Sequence, residues 1–418
     1  MVQFNLLLSA YLAFFILRSL TQVILNRLNV SFLRQQGGKV PDVFQDVIDR
    51  EKLKKISAYT IDSANFGLLS TLASQVFFLL LLLSGFLPWL VQAIQSQGWG
   101  EIVPALIFFA LLSVITNLFQ VPFDLYDTFV IENRYGFNTK TLKLWVVDLL
   151  KSLALSATLG GLLLWLLLSL AIHGGNLWWL WAWVLVGAFE LLMIWLYPVI
   201  LAPLFNKFIP VENQELTRRI EALMQKAGLR SKGVFQMDAS KRSRHTNAYF
   251  TGLGKSKRIV LFDTLVGSHT PEEIEAVLAH EIGHWKKKHV LKQLILVETL
   301  SLVGFFLLAR LLPWAFIYQT FGFPEPTLYV GLLLIAALFS CPAYFAQPLE
   351  SAFSRKMEQE ADDFALRMIS SPTPLVTAFK RLAVDNLANL IPHPLYAWFY
   401  YSHPPLVERI RRLTRPSG

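Results

Sequence analysis

Cysteine is nearly missing from this chain: Cys341 is the one example in 418 residues, and it sits inside an apolar run. Neither a disulfide framework nor a cysteine-rich metal centre is therefore available, and any metal must be held by histidine and carboxylate. Charge is scarce as well. Asp, Glu, Lys and Arg make up 16% of the residues against 54% apolar ones, and mean hydropathy is +0.46. An ordinary soluble protein of this size is excluded by that balance, which predicts an integral membrane protein. The net charge of +9 comes without an RNA or DNA motif, so nucleic acid is not expected as a partner. In a multispanning chain surplus Lys and Arg collects in cytoplasmic loops instead. Internal repeats and low-complexity linkers are absent, and nothing in the sequence marks an oligomeric state.

Long apolar runs are what the chain does have. A bilayer crossing takes about 20 mostly apolar residues, and seven stretches qualify: roughly 5–25, 66–94, 102–121, 149–172, 177–203, 290–317 and 328–349. The first lacks a basic n-region and is interrupted by Arg18, which predicts a retained span rather than a cleaved signal peptide. Basic residues follow span one (Arg27, Arg34, Lys39, Arg50, Lys52, Lys54, Lys55), span three (Arg134, Lys140, Lys143) and span seven (Arg355, Lys356). The alternate connections near 95–101, 173–176 and 318–327 contain none. The positive-inside rule then places the N-terminus outside and puts 204–289 and the C-terminal tail in the cytoplasm. Four stretches result: 1–203 with spans one to five, a cytoplasmic segment 204–289, spans six and seven in 290–349, and a second cytoplasmic segment 350–418. The two cytoplasmic pieces together are long enough for one small α+β unit.

Within the first piece, His280-Glu281-Ile282-Gly283-His284 forms an H-E-x-x-H motif. Residues i and i+4 share a helix face, so both imidazoles reach one tetrahedral Zn²⁺. The carboxylate of Glu281 stands beside the ion and accepts a proton from bound water, whose pKa zinc lowers to roughly 7. Thr270-Pro271-Glu272-Glu273 reads as an N-cap, a first-turn proline and a capping-box glutamate, with Ile274, Val277 and Leu278 following at helical spacing. The basic run Trp285 to His289 reads as a helix end at a membrane surface, with no metal role for His289. Upstream, Asn247–Phe250 and Arg258–Phe262 flank Gly252 to Lys257 as a β-hairpin. Its free edge either adds a substrate strand across the metal or merely covers the helix; the sequence leaves both open.

A catalytic zinc takes a third protein ligand and keeps one position open. Glu298, Glu350, Glu358 and Glu360 are candidates, and Glu358 is preferred because Glu358-x-x-x-Asp362 puts two carboxylates on one helix face, one for the metal and one to orient a ligating histidine. Glu360 points about 160° away from Glu358 on a 3.6-residue helix and is expected to face solvent.

Several ordered stretches extend the pattern almost end to end. They include Tyr126 to Asn138, Tyr197-Pro198, Pro203 to Phe208, Asn247 to Phe250, Lys257 to Leu265, the metal motif, Ser354 to Glu358 with Ala361-Asp362, and Ser402 to Arg409. With these the chain resembles the Ste24-type CAAX prenyl proteases, membrane-integrated zinc metalloproteases of peptidase family M48 in the gluzincin clan. The resemblance implies an all-α polytopic protein, with seven transmembrane helices around a water-filled intramembrane chamber and a small α+β zinc metalloprotease domain. It implies that His280, His284 and Glu358 bind one zinc, that Glu281 is the base, and that Asp362 supports a ligating histidine. It further implies that Asn247 holds the substrate backbone, His403 stabilises the oxyanion, and Arg409 supports the polar cluster. Glu190, Glu298 and Arg310 would line the chamber or pair between helices, and Lys292 would snorkel.

The activity so implied is zinc-dependent hydrolysis of a CAAX-type prenylated, or otherwise hydrophobic, peptide near its C-terminus. Zinc-activated water attacks and no covalent acyl-enzyme forms. A membrane quality-control protease like the shorter HtpX group is the alternative; seven spans and the His403 to Arg409 motif favour the Ste24 side. A transporter with a structural zinc is disfavoured, because an H-E-x-x-H with a distant glutamate and no fourth protein ligand describes an open site. Membrane lipid and a peptide or protein substrate are the expected partners. The bacterial inner membrane or the endoplasmic reticulum would be the location, according to source, and Arg411 to Gly418 carry no retention signal.

Overall fold

A computed structural model describes residues 1–36, 38–229, 233–251 and 258–414. The connection 252–257 of the expected hairpin and the last four residues of the tail lie outside the described residues. Among those described, seven helices are long and apolar enough to cross a membrane: Leu6–Gln36, Arg50–Leu83, Ile102–Tyr135, Leu142–His173, Gly175–Phe205, His289–Leu311 and Leu328–Met368. Each span touches its neighbour in sequence, and span seven touches span one, so the seven form a closed ring.

Most of the helices outrun the apolar runs. Span two begins at Arg50 because Asp49 caps it, its carboxylate accepting from Lys52 N at 2.8 Å. It stops at Leu83, earlier than expected, where Gly85 adopts a left-handed φ of 82°, and Phe86–Gln95 forms a separate short helix. Span seven runs past its apolar stretch, through a 3₁₀ turn at Tyr344–Ala346, into the polar helix Gln347–Met368.

Burial against protein is slight in spans two, four and five and absent from the most apolar stretch of span six, whereas that stretch of span seven is 44% buried. Polar side chains join spans one, two and three: Ser19 to Gln75, Gln75 to Gln22, Asn26 to Asn65 and Gln120 to Ser70, all at 3.1–3.3 Å. At one end, an apolar cluster including Leu82, Leu87, Phe108, Tyr318 and Phe321 closes the ring.

At the other end lies a four-stranded sheet. Its strands are β1 (Phe208–Pro210), β2 (Val234–Met237), β3 (Ala248–Thr251) and β4 (Arg258–Phe262), in the order β1-β2-β4-β3. β2 and β4 are parallel and the other two pairings antiparallel, with Ala248 opposite Leu261 and Thr251 opposite Arg258. The expected pair of strands is therefore present, and β3 is an edge. Alternation along it sends Ala248 and Phe250 to the helical core while Tyr249 packs on the other face with Met237 and Val260.

The helical core draws on more than 204–289 and 350–418. Phe44, Ile48, Leu53 and Ile56 after span one, and Phe137 after span three, are buried in it. Phe137 belongs to the stretch Tyr126 to Asn138, whereas Phe44, Ile48, Leu53 and Ile56 are apolar residues dispersed among charged ones and carry no pattern of their own. A bidentate pair between Arg242 and Asp148 of span four, both contacts 2.8 Å, fastens the sheet side to the ring.

Candidate active site

The helix Pro271–Lys286 starts as its sequence requires. Thr270 Oγ1 accepts from Glu273 N at 3.3 Å, the Glu273 carboxylate accepts from Thr270 N at 2.8 Å, and Pro271 occupies the first turn. Ile274, Leu278 and Ile282 anchor it in the core, leaving His280 and His284 on a common face.

Their Nε2 atoms stand 3.2 Å apart. The Glu358 carboxylate meets them from the helix Gln347–Met368, at 3.3 Å from His280 Nε2 and 3.2 Å from His284 Nε2. One ligand atom from each of these three residues lies within 4.8 Å of the others. Buried Glu358 Oε2 accepts no well-formed hydrogen bond among the described residues. Two imidazole nitrogens and an unsatisfied carboxylate oxygen converging on one point suit a divalent metal, and the donor set fits an N,N,O site.

Behind its inward-facing nitrogen, one imidazole is backed by a carboxylate directly and the other through a third histidine. Asp362, 1% exposed, lies with Oδ1 at 2.9 Å from His280 Nδ1; a proton on Nδ1 leaves Nε2 free to ligate. Arg409 grips Asp362 with Nε and Nη2 at 3.0 and 2.6 Å, and its guanidinium stacks 4.1 Å over Phe379. His284 Nδ1 meets His289 Nδ1 at 3.0 Å, and His289 Nε2 meets Glu360 at 3.2 Å. Glu360 therefore does not simply face solvent: it sits opposite Glu358 on its helix yet turns toward the first residue of span six. His289 has no metal-binding role in this arrangement, but it supports a residue that can ligate.

Gly283 makes the meeting possible. A Cβ there would stand 3.0 Å from both the Cα and the O of Ala361. The two helices touch backbone to backbone at this point, between His280 and His284 on one side and Glu358 and Asp362 on the other.

A cavity of about 280 Å³ opens over the donors, lined by Phe250, Glu281, Trp285, Gln293 and His403 among others. Burial lifts the Glu281 carboxyl above its usual range; His280 and His284 pull it down, and Glu358 pushes it up. Burial alone would depress His280, but the adjacent carboxylates of Asp362 and Glu358 prevail and raise it to about 9. His403, 59% exposed, reaches in from the rim with Nε2 at 3.2 Å from Glu358 Oε1. Asn247 does not line the cavity. It is exposed at the head of β3, with Oδ1 accepting from Ala248 N at 2.8 Å, while Phe250 at the same edge does reach the cavity.

Two residues behind Asn247 were missed. Asn386 Oδ1 accepts from Thr246 N at 2.9 Å, and His245 is held by Glu132 at 3.1 Å while stacking on Phe137 at 3.9 Å. Burial would lower the His245 pKa; its bonds to Glu132 and Asn386 raise it. Glu132 falls inside the stretch Tyr126 to Asn138, whereas Asn386 belongs to no recognisable pattern.

Comparison with known proteins agrees with this arrangement. Residues 29–207 match the family described as CAAX prenyl protease N-terminal, five membrane helices, and residues 210–417 match peptidase family M48. CAAX prenyl protease 1 of Saccharomyces cerevisiae is 34% identical over 408 residues, covering 90% of this chain and 88% of the relative. The homolog from Dictyostelium discoideum is 34% identical over 418 residues, covering 97% and 96%. The crystal structure of S. mikatae Ste24p superposes with a TM-score of 0.92 at 33% identity, covering 99% of this chain and 100% of that one.

Two outcomes are expected. Gly283→Ala forces Ala361 back by a few tenths of an ångström, so metal affinity, read by competition with a chelator, should fall about 10-fold or more. Unchanged affinity would show that the close approach does not govern the site. In the metal-free protein, the folded pKa of His280 near 9 exceeds its ordinary 6.5. Its stabilising contribution is then complete below 6.5 and lost as pH rises through 9. Chelator-treated protein in detergent should show Tm declining across that window, and a flat or rising Tm would count against the His280 contacts.

Proposed function

The chain belongs to peptidase family M48, with the membrane-helical N-terminal part of the CAAX prenyl proteases, and is a multi-pass membrane metalloprotease; from that premise we propose that it is a zinc endopeptidase acting on hydrophobic, CAAX-type prenylated peptides near their C-terminus. His280, His284 and Glu358 hold the zinc. When bound, the ion supplies the Lewis acidity that makes water a nucleophile near neutral pH. Glu281 removes the proton from the attacking water and returns it to the leaving amine. A carboxyl raised by burial suits that exchange better than an ordinary one.

His403 donates to the developing oxyanion from the open side of the cavity, where its exposure leaves the ring free to meet a peptide carbonyl. Arg409 and Asp362 fix the tautomer and plane of His280. The substrate lies extended along β3, with Asn247 holding its backbone, and the free edge of that strand supports this reading over a purely covering role for the pair.

The N-terminus faces away from the cytoplasm and the catalytic side faces into it. Support comes from the burial of Phe44 and Phe137, from the basic connections after spans one and three, in the same core as the sheet and the C-terminal helices.

The observation that carries the proposal is the convergence of three metal donors and a buried, raised glutamate on one cavity beside a strand that is the edge of the sheet among the described residues. Glu281→Gln should retain one zinc per chain by elemental analysis and lose peptide cleavage by about 1,000-fold. A variant that binds zinc and still cleaves near the wild-type rate would remove Glu281 from its role.

A further inference from the structure

The backbone leading into β3 sends its polar groups alternately to two sides. His245 O accepts from Thr264 Oγ1 at 2.9 Å, and Asn247 O accepts from Phe262 N at 3.0 Å; both carbonyls turn toward β4 and the turn that follows it. Thr246, between them, faces the other way. There Asn386 answers both of its backbone groups: Oδ1 accepts from Thr246 N at 2.9 Å, and Nδ2 donates to Thr246 O at 3.2 Å. One residue whose N–H and C=O are both met by a facing acceptor and donor is the hydrogen-bonded pair of an antiparallel ladder. A side-chain amide thus stands where an added strand would place a residue.

That amide is held in one orientation. The helix Thr373–Asp385 ends on Asn386, with Ala388 N donating back to Ala383 O at 2.9 Å and the buried Leu387 in a left-handed conformation, φ 46°, which a residue with a branched side chain adopts only under constraint. His245 Nδ1 lies 3.1 Å from Asn386 Oδ1, and its Nε2 lies 3.1 Å from Glu132. Facing oxygen on both sides, the ring donates to both, so Asn386 turns its oxygen to Thr246 N and its nitrogen to Thr246 O. The other Glu132 oxygen accepts from Tyr59 Oη at 2.6 Å, which fastens the assembly to spans two and three.

Beyond Thr246 the same side of the chain presents Ala248 N, met by the exposed Asn247 Oδ1 at 2.8 Å, and then Phe250, which lines the cavity over the metal donors. Thr246 and Phe250 are separated by about 13 Å of strand. A peptide laid along β3 therefore meets a filled position at one end and the metal donors near the other.

We propose that Asn386 is a specificity-determining residue: its amide fills the edge position at Thr246, and this stop fixes the register in which the substrate pairs with β3 and so which bond lies over the metal donors. The inference rests on the endopeptidase reading above, with the substrate extended along β3. A brace that merely steadied the strand would need a bond to one backbone group, whereas Asn386 answers both, on the side turned away from β4. A slip by one residue would turn every substrate side chain to the opposite face, so the nearest usable register is two residues away. Pairing at Ala248 and Phe250 would then become pairing at Thr246 and Ala248, which Asn386 forbids.

Emptying the position tests this. A peptide with an S-farnesylated cysteine and several residues after it is treated with wild type, Asn386→Ala and Asn386→Leu, and the cut bond is located by mass spectrometry of the products. Zinc content and Tm serve as checks on folding, and Asn386→Ser replaces Asn386→Ala should the latter fail them. Wild type should cut one bond. Asn386→Ala should add a second cut two residues away, amounting to about a tenth or more of the product. Asn386→Leu, which fills the space without bonding to Thr246, should keep the wild-type bond at a raised KM. A single unchanged bond in folded, zinc-loaded Asn386→Ala overturns the proposal, and so does complete loss of cleavage in that state. A displaced cut by Asn386→Leu equal to that by Asn386→Ala overturns it in favour of a brace. Failure of zinc-loaded wild type to cleave the peptide at all instead sinks the endopeptidase reading itself.

Discussion

The contact of Gly283 with Ala361 is the constraint on which the rest depends. It joins two helices that spans six and seven separate in sequence, and it brings them near enough for Glu358 to reach both imidazoles of the motif. Such an approach cannot be held by a loop. It is held from several sides: by the apolar core around Ile274, Leu278 and Ile282, by residues such as Phe44 and Phe137 contributed from connections between spans, and by the ring beneath. The catalytic part therefore does not enclose its core without the connections between spans, whereas the apolar cluster at the other end of the ring is built from the spans and their own connections.

Around that contact the polar groups are graded from dry to wet. His280, Asp362 and Arg409 form a buried chain in which Arg409 Nε and Nη2 donate to the Asp362 carboxylate, that carboxylate meets His280 Nδ1, and the guanidinium covers an aromatic ring. That satisfaction is what lets charge persist away from water. His284, His289 and Glu360 repeat the pattern nearer the surface, with Lys292 at 3.3 Å from Glu360. One imidazole is thus set rigidly and the other is tied to the start of span six, so the two halves of the site take their positions from different parts of the ring.

How much of this was legible follows from what each residue's pattern depends on. The motif helix declared itself because its capping box and its i, i+4 histidines are local, and Glu358 with Asp362 shared one helical face. The pair of strands followed from two short β-branched and aromatic runs. Asn386, by contrast, acts on Thr246 from 140 residues away, and nothing in its neighbours distinguishes it from a surface residue. Glu360 was misplaced because helical geometry fixes the direction in which a residue leaves the axis but not the partner that waits there. The lengths of the spans were underestimated for a related reason: hydropathy reports where lipid ends, whereas helix hydrogen bonding continues through charged residues such as Lys52 and Lys54 until a cap or a glycine stops it.

Span seven carries this last point furthest. Because it passes without a loop from the apolar run into the helix bearing Glu358, that carboxylate is carried on a rod whose other end is the span itself. A slide of the rod by one residue along its axis moves the carboxylate by about 1.5 Å, comparable with half the distance that now separates Glu358 from either histidine. The seating of span seven and the placement of Glu358 against the imidazoles are in this sense one structural variable, because a single helical run carries both.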